Sequence, residues 1–215
     1  MGNHLNRGLV WTAVMLMTAC AGLPSVDMNP ADRAQIKAVK VLADNKLPEE
    51  MFYQGRGQAI AGAFGAIGAV AGMAAAQDPK TQIVATMDKN NINLPAILRN
   101  EFEKTMRSQG QFNIVGEQSS ADAEMVLIVN TYGLSQAQGF SGVLYPMINV
   151  SASLRKPDGT VVWQRTDYVT PQNKENTGGH EFDEYIAKPD HLRASWSNVS
   201  GIVSRMLVGE LTRKK

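Results

Sequence analysis

From about Asn91 the chain alternates between two hydrophobic periods. Leu94, Ile97, Leu98, Phe102 and Met106 recur three and four residues apart, which is one face of a helix. Asn93 or Asn91 stands where an N-cap belongs, Pro95 falls in the tolerated first turn, and Gly110 closes the helix. Phe112 to Val115 reads as a short strand. Ala123 to Tyr132 is nearly continuous in apolar residues, the pattern of a strand central in a sheet. Between Met147 and Leu154 the pattern alternates: Ile148, Val150, Ala152 and Leu154 face one way, Asn149, Ser151 and Ser153 the other. Lys156-Pro-Asp-Gly159 supplies a turn, with proline presetting one φ and glycine allowing a positive one. Thr160 to Val169 completes the hairpin. A polar loop from Pro171 to about Pro189 precedes a last helix from near Asp190. Its broad apolar face carries Leu192, Trp196, Val199, Ile202, Val203, Met206, Leu207 and Leu211.

The first half is less regular. Ile36 to Leu42 is β-branched and alternating, a first strand. Residues 55–76, Gly55 to Ala76, form a Gly/Ala-rich insert without charge from Ala59 onward. On a helical wheel Ala61, Gly65, Gly68, Gly72 and Ala76 share one side, opposite Ile60, Phe64 and Ile67. Gly62, Gly65, Gly68 and Gly72 are the candidates for membrane contact or helix packing, because small residues at this spacing let backbones approach closely. Each glycine costs such a helix about 1 kcal/mol against alanine, so it needs a partner surface or lipid. Two readings stay open: a membrane-inserted or self-associating glycine zipper, and a segment packed on its own domain.

The start of the chain carries the most specific motif. A short, weakly basic stretch ends at Arg7, an apolar run covers Leu9 to Met17, and Thr18-Ala19-Cys20 follows. As a helix that run is only about 14 Å long, too short to span a bilayer and suited to a signal-peptide core. Met17-Thr18-Ala19-Cys20 resembles the bacterial lipobox, with Met17 where leucine is preferred. The resemblance implies cleavage before Cys20 and a lipid, palmitate included, on its thiol, and multiple acyl chains anchor stably where one holds marginally. Ala21 is not the aspartate that retains enterobacterial lipoproteins at the inner membrane, so the resemblance implies the periplasmic face of the outer membrane. Cys20 is the only cysteine, which excludes an internal disulfide and four-cysteine zinc sites. The expected organisation is a signal peptide over 1–19, a lipidated tether over 20–33 containing Pro24 and Pro30, and a periplasmic domain over 34–215 bearing the 55–76 insert.

Charge narrows the partners. The formal charge is +1, and loss of the first 19 residues, which carry Arg7 and no acid, leaves a neutral chain. That gives no electrostatic basis for nucleic-acid binding. The expected fold is α+β: a mixed, mainly antiparallel sheet of about five strands, two helices packed on one face, and the Gly/Ala-rich helical insert. The order of elements, with Ser120-Ala-Asp-Ala before one strand and Pro157-Asp-Gly-Thr-Val-Val-Trp163 in the hairpin, resembles periplasmic outer-membrane lipoproteins of the TolB N-terminal type. The curli-secretion lipoprotein, the penicillin-binding-protein activators and the transport-auxiliary lipoproteins are among them. The resemblance covers roughly residues 34–212, and it implies a non-enzymatic accessory or adaptor in envelope transport, assembly or wall synthesis.

Motifs for chemistry are sparse. Gly139-Phe-Ser-Gly142 lacks the last glycine of a nucleophile elbow, with Val143 in its place. Gly55-x-Gly57 lacks the third glycine of a dinucleotide fingerprint. His180, Glu181, Asp183 and Glu184, with His191 near, group in the polar loop at a spacing that matches no established metal set. That loop reads as solvated or partner-contacting. Trp163, Tyr168 and Trp196 read as core or sheet-face aromatics. No catalytic residue, no metal ligand and no cofactor beyond the covalent lipid on Cys20 is expected. The expected partners are membrane lipid through the acyl chains and either a protein partner or further copies of this chain, as a pore or scaffold in the alternative reading.

Overall fold

A long hairpin organises the domain. The computed structural model describes residues 24–55, 78–139 and 141–213. Strand β4 (Ala123–Gln136) runs antiparallel to β5 (Val143–Arg155), and β5 to β6 (Val161–Val169). On the other side of β4 lie β1 (Ala38–Ala43) and then β3 (Asn113–Val115). Two short strands complete the sheet: β2 (Phe52–Gln54) beside the end of β4, and β7 (His180–Glu181) beside the start of β5.

The sheet thus has seven strands rather than about five, and it is mixed more deeply than the hairpin implied. β1 runs parallel to both β3 and β4, and β2 parallel to β4. For β1 and β3 the cause is the helical crossover between them, which returns the chain to the same end of the sheet, so β3 runs the same way as β1.

Five helices are present among the described residues, where two were expected besides the insert. α1 spans Pro30–Gln35, α2 Pro79–Lys89, α3 Leu94–Gln109, α4 Phe182–Ala187 and α5 Pro189–Thr212. α3 starts where the caps placed it. The Asn93 side chain accepts the Ala96 N–H at 2.9 Å, and Gly110 ends the helix at φ 65°. The expected polar loop before α5 holds β7 and α4, both too short to leave a hydrophobic period.

α3 and α5 pack on each other and on one face of the sheet. Between them and the sheet lies the core. The sheet contributes Val39, Val41, Met125, Leu127, Ile148, Val150, Leu154 and Trp163, and the helices Leu98, Phe102, Trp196, Val203 and Leu207, all fully buried. Each large apolar side chain so buried contributes about 1.5–3 kcal/mol. The opposite face carries a hydrogen-bonded polar ladder. The Asn130 amide donates to Asn149 Oδ1 at 2.8 Å and Ser151 Oγ at 2.7 Å, and Ser151 meets Thr166 at 2.7 Å.

Trp163 and Trp196 are core residues as expected; Tyr168 lies on the polar sheet face and is 61% exposed. The signal peptide, Cys20, and Gly62, Gly65, Gly68 and Gly72 lie outside the described residues.

Candidate functional site

Two regions concentrate interactions that a bare scaffold would not need. The first is the outer edge of β6. The segment expected as a tether up to Arg33 lies on the domain from Pro24 onward. Val26 and Gln164 exchange backbone hydrogen bonds of 3.0 and 2.9 Å in an antiparallel bridge. The Gln164 amide donates to the Pro24 carbonyl at 2.7 Å, and the Arg165 guanidinium donates to the Val26 carbonyl at 3.0 Å while pairing with Asp27. Asn29 caps α1 by accepting the Asp32 N–H at 2.8 Å. Asp32 pairs with Lys156, and Arg33 donates to the Leu211 carbonyl at 2.9 Å. These polar contacts have no hydrophobic period, which is why the sequence reads as a linker there. They cover an otherwise free strand edge. Cys20 precedes Pro24 by four residues, a reach of about 14 Å when extended.

The second region is the corner formed by the 171–181 loop, α4 and the start of α5. Buried Asn176 donates to the Pro146 carbonyl at 2.8 Å and the Thr170 carbonyl at 3.0 Å. The Tyr185 hydroxyl sits 2.7 Å from the Gly178 carbonyl and 2.9 Å from that of Leu144, and Ser195 Oγ donates to Gly178 at 2.7 Å. Burial pushes the Tyr185 phenol up to about 12. The loop is therefore pinned from below.

On top of this corner the structure gathers His180, Glu184 and His191, whose donor atoms lie within 4.8 Å of one another. His180 Nδ1 is 3.6 Å from Glu184 Oε2, and the two imidazoles stack at 4.2 Å with 26° between planes. His191 Nδ1 is buried with no hydrogen-bond partner. The Glu181 N–H holds the Glu184 carboxyl below its usual range, with Lys188 and His180 adding to it. Two imidazoles and a carboxylate are a donor set that suits a divalent transition metal. A metal about 2.1 Å from each donor needs the donors about 3.4 Å apart in a tetrahedral site. Stacked rings present their nitrogens side by side instead, so shared ligation requires one ring to turn. Glu181 and Asp183 stay exposed outside the cluster, and Glu181 caps α4. The grouping needs α4 and its i, i+4 spacing, so a polar-loop reading hides it.

The same end of the molecule has an open cleft of about 410 Å³ lined by Phe52, Gln54, Ser135, Met147, Thr170 and Gln172 among others. β2 lies close to β4 there: a Cβ at Gly133 would stand 2.0 Å from the Phe52 carbonyl oxygen, so only glycine fits. Ser141, from the failed nucleophile-elbow match, accepts the Val143 N–H at 3.0 Å within the hairpin connection.

No protein family matches the sequence, and no curated protein matches it. Among solved structures the chain is similar to protein XCC0632 from Xanthomonas campestris, at 12% identity and TM-score 0.42 over 86% of this chain and 88% of that one. It is also similar to PelC, a dodecamer from Paraburkholderia phytofirmans, at 11% identity and TM-score 0.43 over 88% and 98%. A minor lipoprotein from Acinetobacter baumannii aligns at 10% identity and TM-score 0.33 over 81% and 92%. None of these three names is of the TolB, curli-secretion or transport-auxiliary kind that the element order resembles.

Proposed function

We propose that this chain is a lipid-anchored, non-enzymatic lipoprotein of the outer membrane that holds its α+β domain on the periplasmic face and binds a protein partner in envelope transport, assembly or wall synthesis. The observation that carries the reading is Met17-Thr18-Ala19-Cys20, a lipobox whose cysteine lies four residues from Pro24, the first residue seated on β6. Acylation at Cys20 supplies the anchor, and the docked segment turns that anchor into a close one. Among the described residues no helix is long and apolar enough to cross a membrane. The pinned 171–181 loop is the rigid, polar surface for recognition, because side chains on a fixed loop lose little entropy on binding.

Mass spectrometry of the protein purified from its own membranes tests the anchor. The expected species starts at residue 20 and carries acyl chains on the cysteine, in the outer-membrane fraction of a density gradient. An unmodified Cys20, or an intact leader in the cytosol, refutes the reading. Crosslinking in cells through the 171–181 loop, followed by light scattering on the purified protein, then separates a distinct partner from further copies of the chain.

A further inference from the structure

We propose that His180, Glu184 and His191 together hold one divalent transition-metal ion of the zinc class, at the corner where β7, α4 and α5 meet. The site is built from the domain alone and does not rest on the lipid anchor.

Three observations carry it. First, the frame that presents the donors is fixed without the ion. β7 pairs His180 with Leu144 of β5. Tyr185, next to Glu184, is fully buried and donates to the Gly178 and Leu144 carbonyls. Lys188 alone separates α4 from α5, and its carbonyl accepts the His191 N–H at 2.9 Å. The donors thus come together because the backbone beneath them is pinned, which is what a metal site requires of its scaffold.

Second, the remaining distance is small. The donor atoms lie within 4.8 Å of one another, against about 3.4 Å around a tetrahedral ion. All three side chains are only partly buried, so each has room to turn on its solvent side. The two imidazoles already lie side by side at 4.2 Å.

Third, His191 Nδ1 is buried with no hydrogen-bond partner. A buried imidazole that serves only packing pairs its nitrogens. No structural bond at that nitrogen holds this ring in place, so it is free to turn toward a shared ion.

The chemistry of the set selects the ion. Two imidazoles and one carboxylate suit zinc, copper or nickel, whereas magnesium and calcium need a shell of oxygens. Glu184 turns Oε2 toward His180 and Oε1 toward Lys188, each at 3.6 Å. One oxygen therefore faces the ion while the other is held from outside, the usual arrangement of a ligating carboxylate. The Lys188 ammonium opposes a cation here, but its side chain is 58% exposed and water screens it. Three protein donors leave a fourth position for water or for a donor from a bound molecule. Once bound, the ion ties β7, α4 and the first turn of α5 into one unit.

The test is calorimetric titration of zinc chloride into the full-length protein, purified without a histidine tag and stripped with a chelator. One ion per chain is expected, not displaced by excess magnesium or calcium. His180→Ala, Glu184→Gln and His191→Gln should each weaken binding at least about tenfold, the loss that even an outer partner of a metal ligand gives. Glu184→Gln keeps an acceptor for the Glu181 N–H, so it reports on ligation with the fold preserved. Asp183→Asn, on the same helix, should bind as wild type does. Zinc should also slow hydrogen exchange across residues 180–191 in wild type and not in Glu184→Gln. Absence of saturable one-to-one binding, or zinc binding unchanged in the three ligand variants, overturns the proposal. Because those variants locate the ion, the outcome reads the same whether or not the Cys20 thiol carries lipid.

Discussion

Replacing Tyr185 by phenylalanine should destabilise the protein at neutral pH and stabilise it relative to wild type in strong alkali. The hydroxyl is buried against the Gly178 and Leu144 carbonyls, and Ser195 leans on it. Its removal leaves those acceptors short of a donor and costs about 1–2 kcal/mol. The ring stays, so no cavity opens. The alkaline limb comes from linkage. Burial raises the phenol from 10.0 to about 12 in the folded state. A group with a raised folded pKa contributes its full stability below the unfolded value and loses it as pH climbs through the folded one. At about 1.36 kcal/mol per unit, wild type loses about 1.4 kcal/mol from this group by pH 11 and about 2.3 kcal/mol by pH 12. The Tyr185→Phe protein lacks that loss, so the two stability curves should cross between about pH 11 and 12. Urea unfolding by circular dichroism at pH 7, 9, 11 and 12 measures the difference directly. The other tyrosines titrate equally in both proteins and cancel. A gap between wild type and Tyr185→Phe that stays constant from pH 7 to pH 12 refutes the assignment of a buried, neutral phenol at this corner.

Asn93→Ala removes the cap that accepts the Ala96 N–H and should cost about 1 kcal/mol in urea unfolding, with Asn93→Asp restoring most of it. Gly133→Val places atoms where the Phe52 carbonyl stands, so β2 should detach from β4; hydrogen exchange at residues 52–54 should quicken while β5 and β6 stay protected. Arg165→Ala removes both the Asp27 pair and the bond to the Val26 carbonyl. The 24–28 segment of that variant should be clipped by limited proteolysis several-fold faster than wild type, with the sheet intact.

The parts of the fold legible in the sequence were those with a long period. α3, the β4–β5–β6 meander and α5 bury one repeating face each, and Asn93 and Gly110 mark their helix at both ends. Elements stabilised by single polar contacts left no such trace. α1 is held by an asparagine cap and the Asp32–Lys156 pair, α4 by a capping box and the buried Tyr185, β2 by three residues of pairing against a glycine. The parallel pairings were hidden because strand direction depends on where crossovers return, not on local pattern. The histidine–glutamate cluster was legible in part: its residues stood out, but their convergence depends on the short α4 that the pattern did not reveal. Tyr168, on a strand that the alternation revealed, is a sheet-face aromatic as expected, on the face turned outward.

The bridge between Val26 and Gln164 also fixes how the domain bears mechanical load. In the anchored protein proposed above, drag or traction enters the domain at Pro24, and a pull along β6 loads the docked segment lengthwise. The backbone bonds at Val26, the Asp27–Arg165 pair and the Asp32–Lys156 pair then resist together in shear, and none has to open before the next is strained. A leader leaving at right angles to the strand would unzip those contacts one by one under far smaller force.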